Sequence, residues 1–490
     1  MEIRSTALAG GQVLTCKRKM KSVNGSLWKK VEQGWVINCR NAPVETQDNR
    51  VEQRHGNGLA FAGVYLFTLL LHARPNELFP SVLGTFPLAK IVVIVTALVY
   101  FGSRLIADST VLGNSLELKM VALIAVLAIL FMPVAASPQD SMNTLLDSFL
   151  KILVIFALMI NLLDNRERLD SLLKLVLVCN FLLAVDAIGS FYGGEFQKGR
   201  IAGAVVGGIF GNPNDLATSL DTLLPISVAL ALTSRGLWRL GYLASAVTMA
   251  TAVILTFSRG GLLGLVLPGG FLLWKLSRRN RLLPVAAALL CGGLLLAVPS
   301  GYGNRLLTIF NPEADKTGSA QERQKLLQRG VVLAAAHPVV GIGMGNFHIF
   351  SIRELRAHNS YVEIAAELGV AGLVAYVLLI VVPLHSLRRI ERETFNTNLP
   401  TTNYIYCMAL ALQASLASYL ITSTFGSYQY SWFLYYVVSY AIALRTIHNP
   451  KQMESVEPVC MSRSAGAIWS QFRKGSTQIA PLKTYRARGT

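Results

Sequence analysis

Four short polar stretches interrupt an otherwise apolar chain: Gly211-Asn212-Pro213-Asn214-Asp215, Ser258-Arg259-Gly260, Gln321-Glu322-Arg323-Gln324 and His358-Asn359. Arginine and histidine are the types that could do chemistry. A guanidinium presents a planar fork of donors matched to phosphate oxygens and keeps its charge where solvation is poor. An imidazole can take a proton from a hydroxyl near neutral pH if the two lie within hydrogen-bond reach. Together they suit displacement of an anionic leaving group by a hydroxyl, with fixed cations stabilising the growing negative charge. The spacing of Cys, His, Asp and Glu suggests no metal site, and the six cysteines include no C-x-x-C pair, so no cofactor is expected.

Each stretch also has a plainer reading. Asp215 could simply cap a helix beginning near 217, or Asn212 and Asp215 could face substrate at the mouth of a polar cavity. Arg259 sits between two apolar runs, where it either snorkels to headgroups or faces an anion. Arg323 and Arg329 occupy different parts of one helical wheel, and either could be an ordinary solvated position. His358 and Asn359 precede a helix starting near 361, so Asn359 could serve as a cap, and Glu363 falls one turn beyond it. Residues 337–347, HPVVGIGMGNF, carry three alternating glycines that permit a tight backbone crossing but lack a phosphate-loop ending.

These residues must be held by a membrane bundle. The chain has 490 residues, 52% hydrophobic and 15% charged, and its mean hydropathy is +0.46, which excludes an ordinary soluble domain. Apolar stretches lie at 58–73, 84–102, 119–134, 144–163, 172–188, 217–232, 238–256, 260–276, 282–299, 361–383, 404–422 and 428–444. The expected fold is therefore an all-α polytopic membrane protein of about 12 transmembrane helices. Its one large periplasmic loop, 300–360, contains the amphipathic stretch SAQERQKLLQRGVVLAAA.

The formal charge of +18 is distributed in short clusters between apolar runs, which argues for anionic membrane lipids as partners and against nucleic acid. With the N-terminus inside, the short cytoplasmic connections hold 12 Lys and Arg and the external ones four: Arg74, Lys198, Arg200 and Arg259. Residues 1–57 then form a basic cytoplasmic extension, 58–445 the membrane domain, and 446–490 a basic cytoplasmic tail. All four polar stretches fall on the external side.

The pattern H-[NSQ]-x9-G-x-x-[GTY] is present as His358, Asn359, SYVEIAAEL, Gly369 and Gly372. With the GNPND turn, the SRG helix start, the glycine-rich approach and the long loop, the chain resembles the O-antigen ligase and polysaccharide polymerase family of the bacterial inner membrane. That resemblance implies metal-independent, inverting transfer of a glycan from undecaprenyl diphosphate to a hydroxyl of an acceptor glycan, lipid A-core or protein. It also implies that Arg259 and Arg323, with Arg329 as the neighbouring alternative, bind the diphosphate while His358 activates the acceptor. Arg74-Pro75-Asn76-Glu77 resembles the start common among exopolysaccharide-cluster members, which keeps the polymerase reading open. A transporter of lipid-linked glycan is the rival class, although no inverted repeat is evident.

Overall fold

The computed structural model describes residues 2–9, 12–19, 47–75, 87–106, 113, 115–194, 196–197, 200–201, 210–278, 319–396 and 399–448. Helices dominate: α1 (Gln47–Ala73), α2 (Leu88–Ile106), α3 (Leu116–Phe131), α4 (Pro138–Leu162), α5 (Arg166–Tyr192), α6 (Pro213–Thr233), α7 (Gly236–Leu255), α8 (Arg259–Ser277), α9 (Ser319–Ala336), α10 (Ser360–Thr394), α11 (Pro400–Thr422) and α12 (Trp432–His448). Two antiparallel strand pairs, Glu2–Ala9 with Gln12–Lys19 and Phe196–Gln197 with Arg200–Ile201, and the short helical turns Met132–Val134, Phe347–Phe350 and Ile352–Glu354 are also present among the described residues.

Nine of these helices, α2 to α8 with α10 and α11, are long and apolar enough to cross a membrane, and α1 adds the shorter apolar stretch Gly58–Ala73. The expected helical class is thus present, and against the expectation of about twelve spans nine such helices lie among the described residues. The span expected at 282–299 and residues 300–318 of the long connection lie outside the described residues. The last expected span, 428–444, corresponds to α12, a helix of 17 residues that begins at Trp432 after a loop and is not among the nine.

Local chemistry sets the helix starts. Ser115, Ser137, Asn165, Asn212, Ser258 and Asn359 each turn a side-chain oxygen onto a backbone N–H of the first turn they precede. Proline follows the cap in α4, α6 and α11, where its missing N–H costs nothing. One expectation is corrected here: the cap of α6 is Asn212, and Asp215 lies inside the first turn, since the helix begins at Pro213.

Helices α6 and α11 are the centre of the bundle, 78% and 83% buried, whereas α2 is only 17% buried and borders it. Their sequences are rich in Ala, Ser and Thr, which permit close helix contact and bond within or between helices. Ser418 Oγ donates to Gly264 O at 2.8 Å, Ser227 Oγ to Tyr242 O at 2.8 Å and Ser219 Oγ to Asn180 Oδ1 at 2.8 Å. A Cβ at Gly264 would come within 2.6 Å of Thr422, so α8 and α11 touch where no side chain intervenes.

Helix α10 is broken at Gly369, whose φ of 68° and ψ of −169° belong to a region open essentially to glycine alone. The break frees backbone groups that the glycine-rich approach satisfies. Val370 N donates to Pro338 O at 2.8 Å, Ile342 N to Ala366 O at 2.9 Å and Gly343 N to Glu367 O at 3.0 Å. A Cβ at Gly369 would lie 2.6 Å from Val339 O, and one at Gly341 2.3 Å from Glu367 O. The crossing expected of residues 337–347 is therefore made against α10. The nine residues between Asn359 and Gly369 are the helical segment from cap to break. Gly372 has its own reason: a Cβ there would meet Leu368 at 2.4 Å.

Candidate functional site

The segments singled out from the sequence meet around one loop, 423–431, which joins α11 to α12. Gly260 packs on Phe425, where an added Cβ would come within 2.8 Å. Ser360 Oγ donates to Gly426 O at 2.8 Å, and Tyr428 N donates to Ser360 Oγ at 2.7 Å. His358 N donates to Ser427 Oγ at 3.0 Å, and Arg356 donates to Ser427 O at 3.3 Å. This loop ties the start of α8 to the start of α10.

His358 takes a positive φ of 52°, a left-handed conformation that histidine adopts more readily than most residues other than glycine, and its hydrogen bond to Ser427 holds it there. Phe257, just before the Ser258 cap, has a φ of 53°. Strained backbone thus marks both turns. Beneath them, Glu363 is 1% exposed. Its carboxylate accepts from Ala357 N at 2.9 Å, from Gln429 Nε2 at 2.8 Å and from the Ser427 hydroxyl, with Arg356 Nε at 3.7 Å. One carboxylate therefore clamps the His358 turn to the loop.

Burial, followed by the positive fields of Arg323 and Arg356, lowers the His358 pKa to about 4. The imidazole is neutral at neutral pH and has a free base lone pair to offer. The Tyr428 hydroxyl lies beside Asp215 and Thr218; burial, then the Asp215 carboxylate, push its pKa upward.

Ser258 Oγ donates to Asn214 Oδ1 at 2.8 Å and also caps Gly261 N at 3.2 Å, so the GNPND and SRG turns are one assembly. Half-buried Arg259 is the first residue of α8. A cation at a helix N-terminus runs against the helix dipole, and α8 has no acidic residue in its first turn, whereas α6 has Asp215 and α10 has Glu363. Helix start and guanidinium together make a place suited to an anion.

Helix α9 coincides with the amphipathic stretch expected in the long connection. Its Leu326 and Leu333 are buried with Phe347 and Ala366, and Gly330 rests on Val362. This packing lays the helix across the first segment of α10 and brings half-buried Arg323 within electrostatic reach of His358 and Tyr428.

Of the residues predicted from sequence, the structure thus gathers Asp215, Arg259, Arg323 and His358 around the 423–431 loop. The others have local duties. Asn212 is exposed and caps α6, with Asn214 N at 2.9 Å. Asn359 caps α10 by accepting from Tyr361 N at 3.1 Å and Val362 N at 3.0 Å. Arg329 is exposed and donates to Phe350 O at 3.1 Å, holding α9 to the neighbouring turn. Sequence reasoning missed Arg356, two residues before His358, and the loop itself. The available signal was slight: Ser427, Gln429 and Ser431, set among tyrosines in SYQYS between two apolar stretches.

Residues 244–377 match the O-antigen ligase family. The matched segment includes Arg259, Arg323, Arg329, His358, Gly369 at the α10 break and Gly372, and it ends before the 423–431 loop. No curated protein matches the chain. Over that segment the chain is similar to the O-antigen ligase family, and nine helices among the described residues are long and apolar enough to cross a membrane.

Proposed function

We propose that this protein transfers a glycan from undecaprenyl diphosphate to a hydroxyl acceptor during surface polysaccharide assembly. The observation that carries the reading is the gathering of Asp215, Arg259, Arg323 and His358 around the 423–431 loop, with His358 kept neutral by burial and by the positive fields of Arg323 and Arg356. Arg323, with Arg259 at the start of α8, binds the diphosphate. The acceptor hydroxyl attacks the anomeric carbon, the bond to the diphosphate oxygen breaks with its electron pair leaving on phosphate, and the hydroxyl proton passes to His358. Direct attack of this kind inverts the anomeric configuration.

A base with a pKa near 4 is weak before substrate arrives. A diphosphate seated on the arginines opposes their field, so donor binding raises the proton affinity of His358 toward the working range. The base is thereby activated only when the donor is in place. Asp215 and Tyr428 form the polar wall that meets substrate, and the leaving group's charge is balanced by guanidinium groups and the α8 start.

The lysine and arginine asymmetry of the short connections supports an orientation with this site facing the periplasm and both termini in the cytoplasm of a bacterial inner membrane. Reconstituted transfer from an undecaprenyl-diphosphate glycan tests the reading, with lipid A-core, a second lipid-linked glycan and a protein offered separately as acceptors. Product on lipid A-core selects ligation, chain extension selects polymerisation, and protein modification selects O-glycosylation. Protein-dependent movement of the donor across the bilayer, without product on any acceptor, would replace transfer by transport.

A further inference from the structure

The opposite end of the bundle holds a polar cavity of about 230 Å³, between the starts of α5, α7 and α11 and the end of α6. Arg166, Lys174 and Arg235 line it, with Trp238 and Tyr404, against one carboxylate, Asp170. Asp170 is already engaged: Arg166 Nε lies 3.3 Å from it and the Tyr404 hydroxyl donates to it at 2.5 Å. Lys174 and Arg235 have no carboxylate partner among the described residues. The Arg166 guanidinium lies over the Tyr404 ring at 3.9 Å and Lys174 Nζ over the Trp238 ring at 5.3 Å, so aromatic faces hold two cations beside the cavity.

What borders the cavity is apolar and bare. On α5, Val178, Leu182 and Val185 follow Lys174 at helical spacing and are 56%, 60% and 46% exposed. On α7, which packs against α5, Leu240 and Leu243 are also exposed and lie one turn apart. A polar hole with surplus positive charge, an aromatic at its edge and two apolar helix faces leading away have the dimensions of chemistry found in one class of molecule: a phosphate with attached acyl chains.

We propose that this cavity binds one anionic phospholipid, its phosphate between Lys174 and Arg235 and its acyl chains along the exposed faces of α5 and α7. A zwitterionic lipid presents the same phosphate but adds an ammonium that the three cations disfavour. The site is at the end of the bundle away from His358 and is independent of the transfer chemistry.

Native mass spectrometry of the full-length protein in neutral detergent tests this by titration with dioleoylphosphatidylglycerol, dioleoylphosphatidylcholine and inorganic phosphate. Wild type should hold one phosphatidylglycerol in preference to phosphatidylcholine. The double variant K174Q/R235Q should weaken phosphatidylglycerol roughly thirtyfold and weaken phosphatidylcholine less, so that the preference between them narrows, given the usual contribution of a basic side chain near an anionic lipid. Both positions are exposed, so the substitutions leave the core intact. The charge-matched variant R388Q/R392Q, at the same end but outside the cavity, should bind like wild type. An equal loss in that control, undiminished phosphatidylglycerol binding by K174Q/R235Q, or inorganic phosphate bound as tightly as the lipid would each overturn the proposal.

Discussion

Glu363 accepts from Gln429 Nε2 at 2.8 Å, across the junction between the first turn of α10 and the loop before α12. The same carboxylate receives Ala357 N–H and the Ser427 hydroxyl, so an acceptor-only group is surrounded by donors. Glu363→Gln places an NH2 among them and leaves at least one donor unpaired. Stability should fall by about 1–3 kcal/mol, with membrane insertion retained and transfer reduced. Thermal unfolding of the purified variant checks this, and an unchanged midpoint would mean that the clamp does not hold the His358 turn.

Gly369→Ala separates backbone strain from helix propensity. At Gly369 a Cβ would meet Val339 O at 2.6 Å with φ positive, so the break cannot survive unchanged and a loss of about 3 kcal/mol or more is expected. Gly270, within α8, has nothing within 4 Å of an added Cβ. Gly270→Ala should be neutral or stabilise by up to about 1 kcal/mol. Melting temperatures of the two variants should move in opposite directions, or Gly270→Ala should not move at all.

His358 has a pKa of about 4 in the folded chain, below its ordinary value of 6.5, because of burial and then Arg323 and Arg356. The folded state favours the neutral ring, so the resulting stability is fully present above pH 6.5 and is lost as pH falls toward about 4. The acidic limb of kcat/KM, which reports the free protein, should lie near pH 4. The limb of kcat should lie higher, because bound diphosphate offsets the arginines. Coincident limbs would remove the proposed coupling between donor and base.

Arg259→Lys keeps charge but loses the fork, and Arg259→Ala loses both. Donor use should fall modestly in the first and by at least tenfold in the second, in line with loss of a charge-assisted contact worth about 1.5–3 kcal/mol. Steady-state transfer across a range of donor concentrations measures this. Full activity of folded Arg259→Ala would take Arg259 out of the anion site.

Asn359→Ala and His358→Ala should part company. The first removes a cap and should cost about 1 kcal/mol of stability with a partial loss of transfer. The second should abolish most transfer while donor binding and membrane insertion persist. Normal transfer by folded His358→Ala would reject the proton-acceptor role.

Much of this was legible without coordinates, for physical reasons. The apolar runs had no stable alternative to helices, since backbone groups surrounded by hydrocarbon must pair within their own segment. The α9 stretch declared its amphipathic period, and its Ser319–Ala336 bounds follow that stretch from end to end. Arg259 and His358 stood out because charge and imidazole are expensive near apolar runs. The 423–431 loop was hidden for the converse reason: its tyrosines and Phe425 read as apolar, and their hydroxyls and backbone groups reveal a polar hub only once partners surround them.

The sequence by itself determined the helical class, the places where helices begin and the residues able to carry the chemistry, because hydropathy, capping and charge act over a few neighbouring positions. Tertiary structure alone decided which of those residues share a site. Whether Arg323 or Arg329 approaches His358 depends on which face of α9 buries Leu326 and Leu333, and whether Asn359 contacts substrate or caps a helix depends on where its oxygen finds N–H groups. The Glu363 carboxylate meets Gln429 66 residues along the chain, a separation at which no local pattern carries information; only the packing of α10 against α11 and α12 brings the two together.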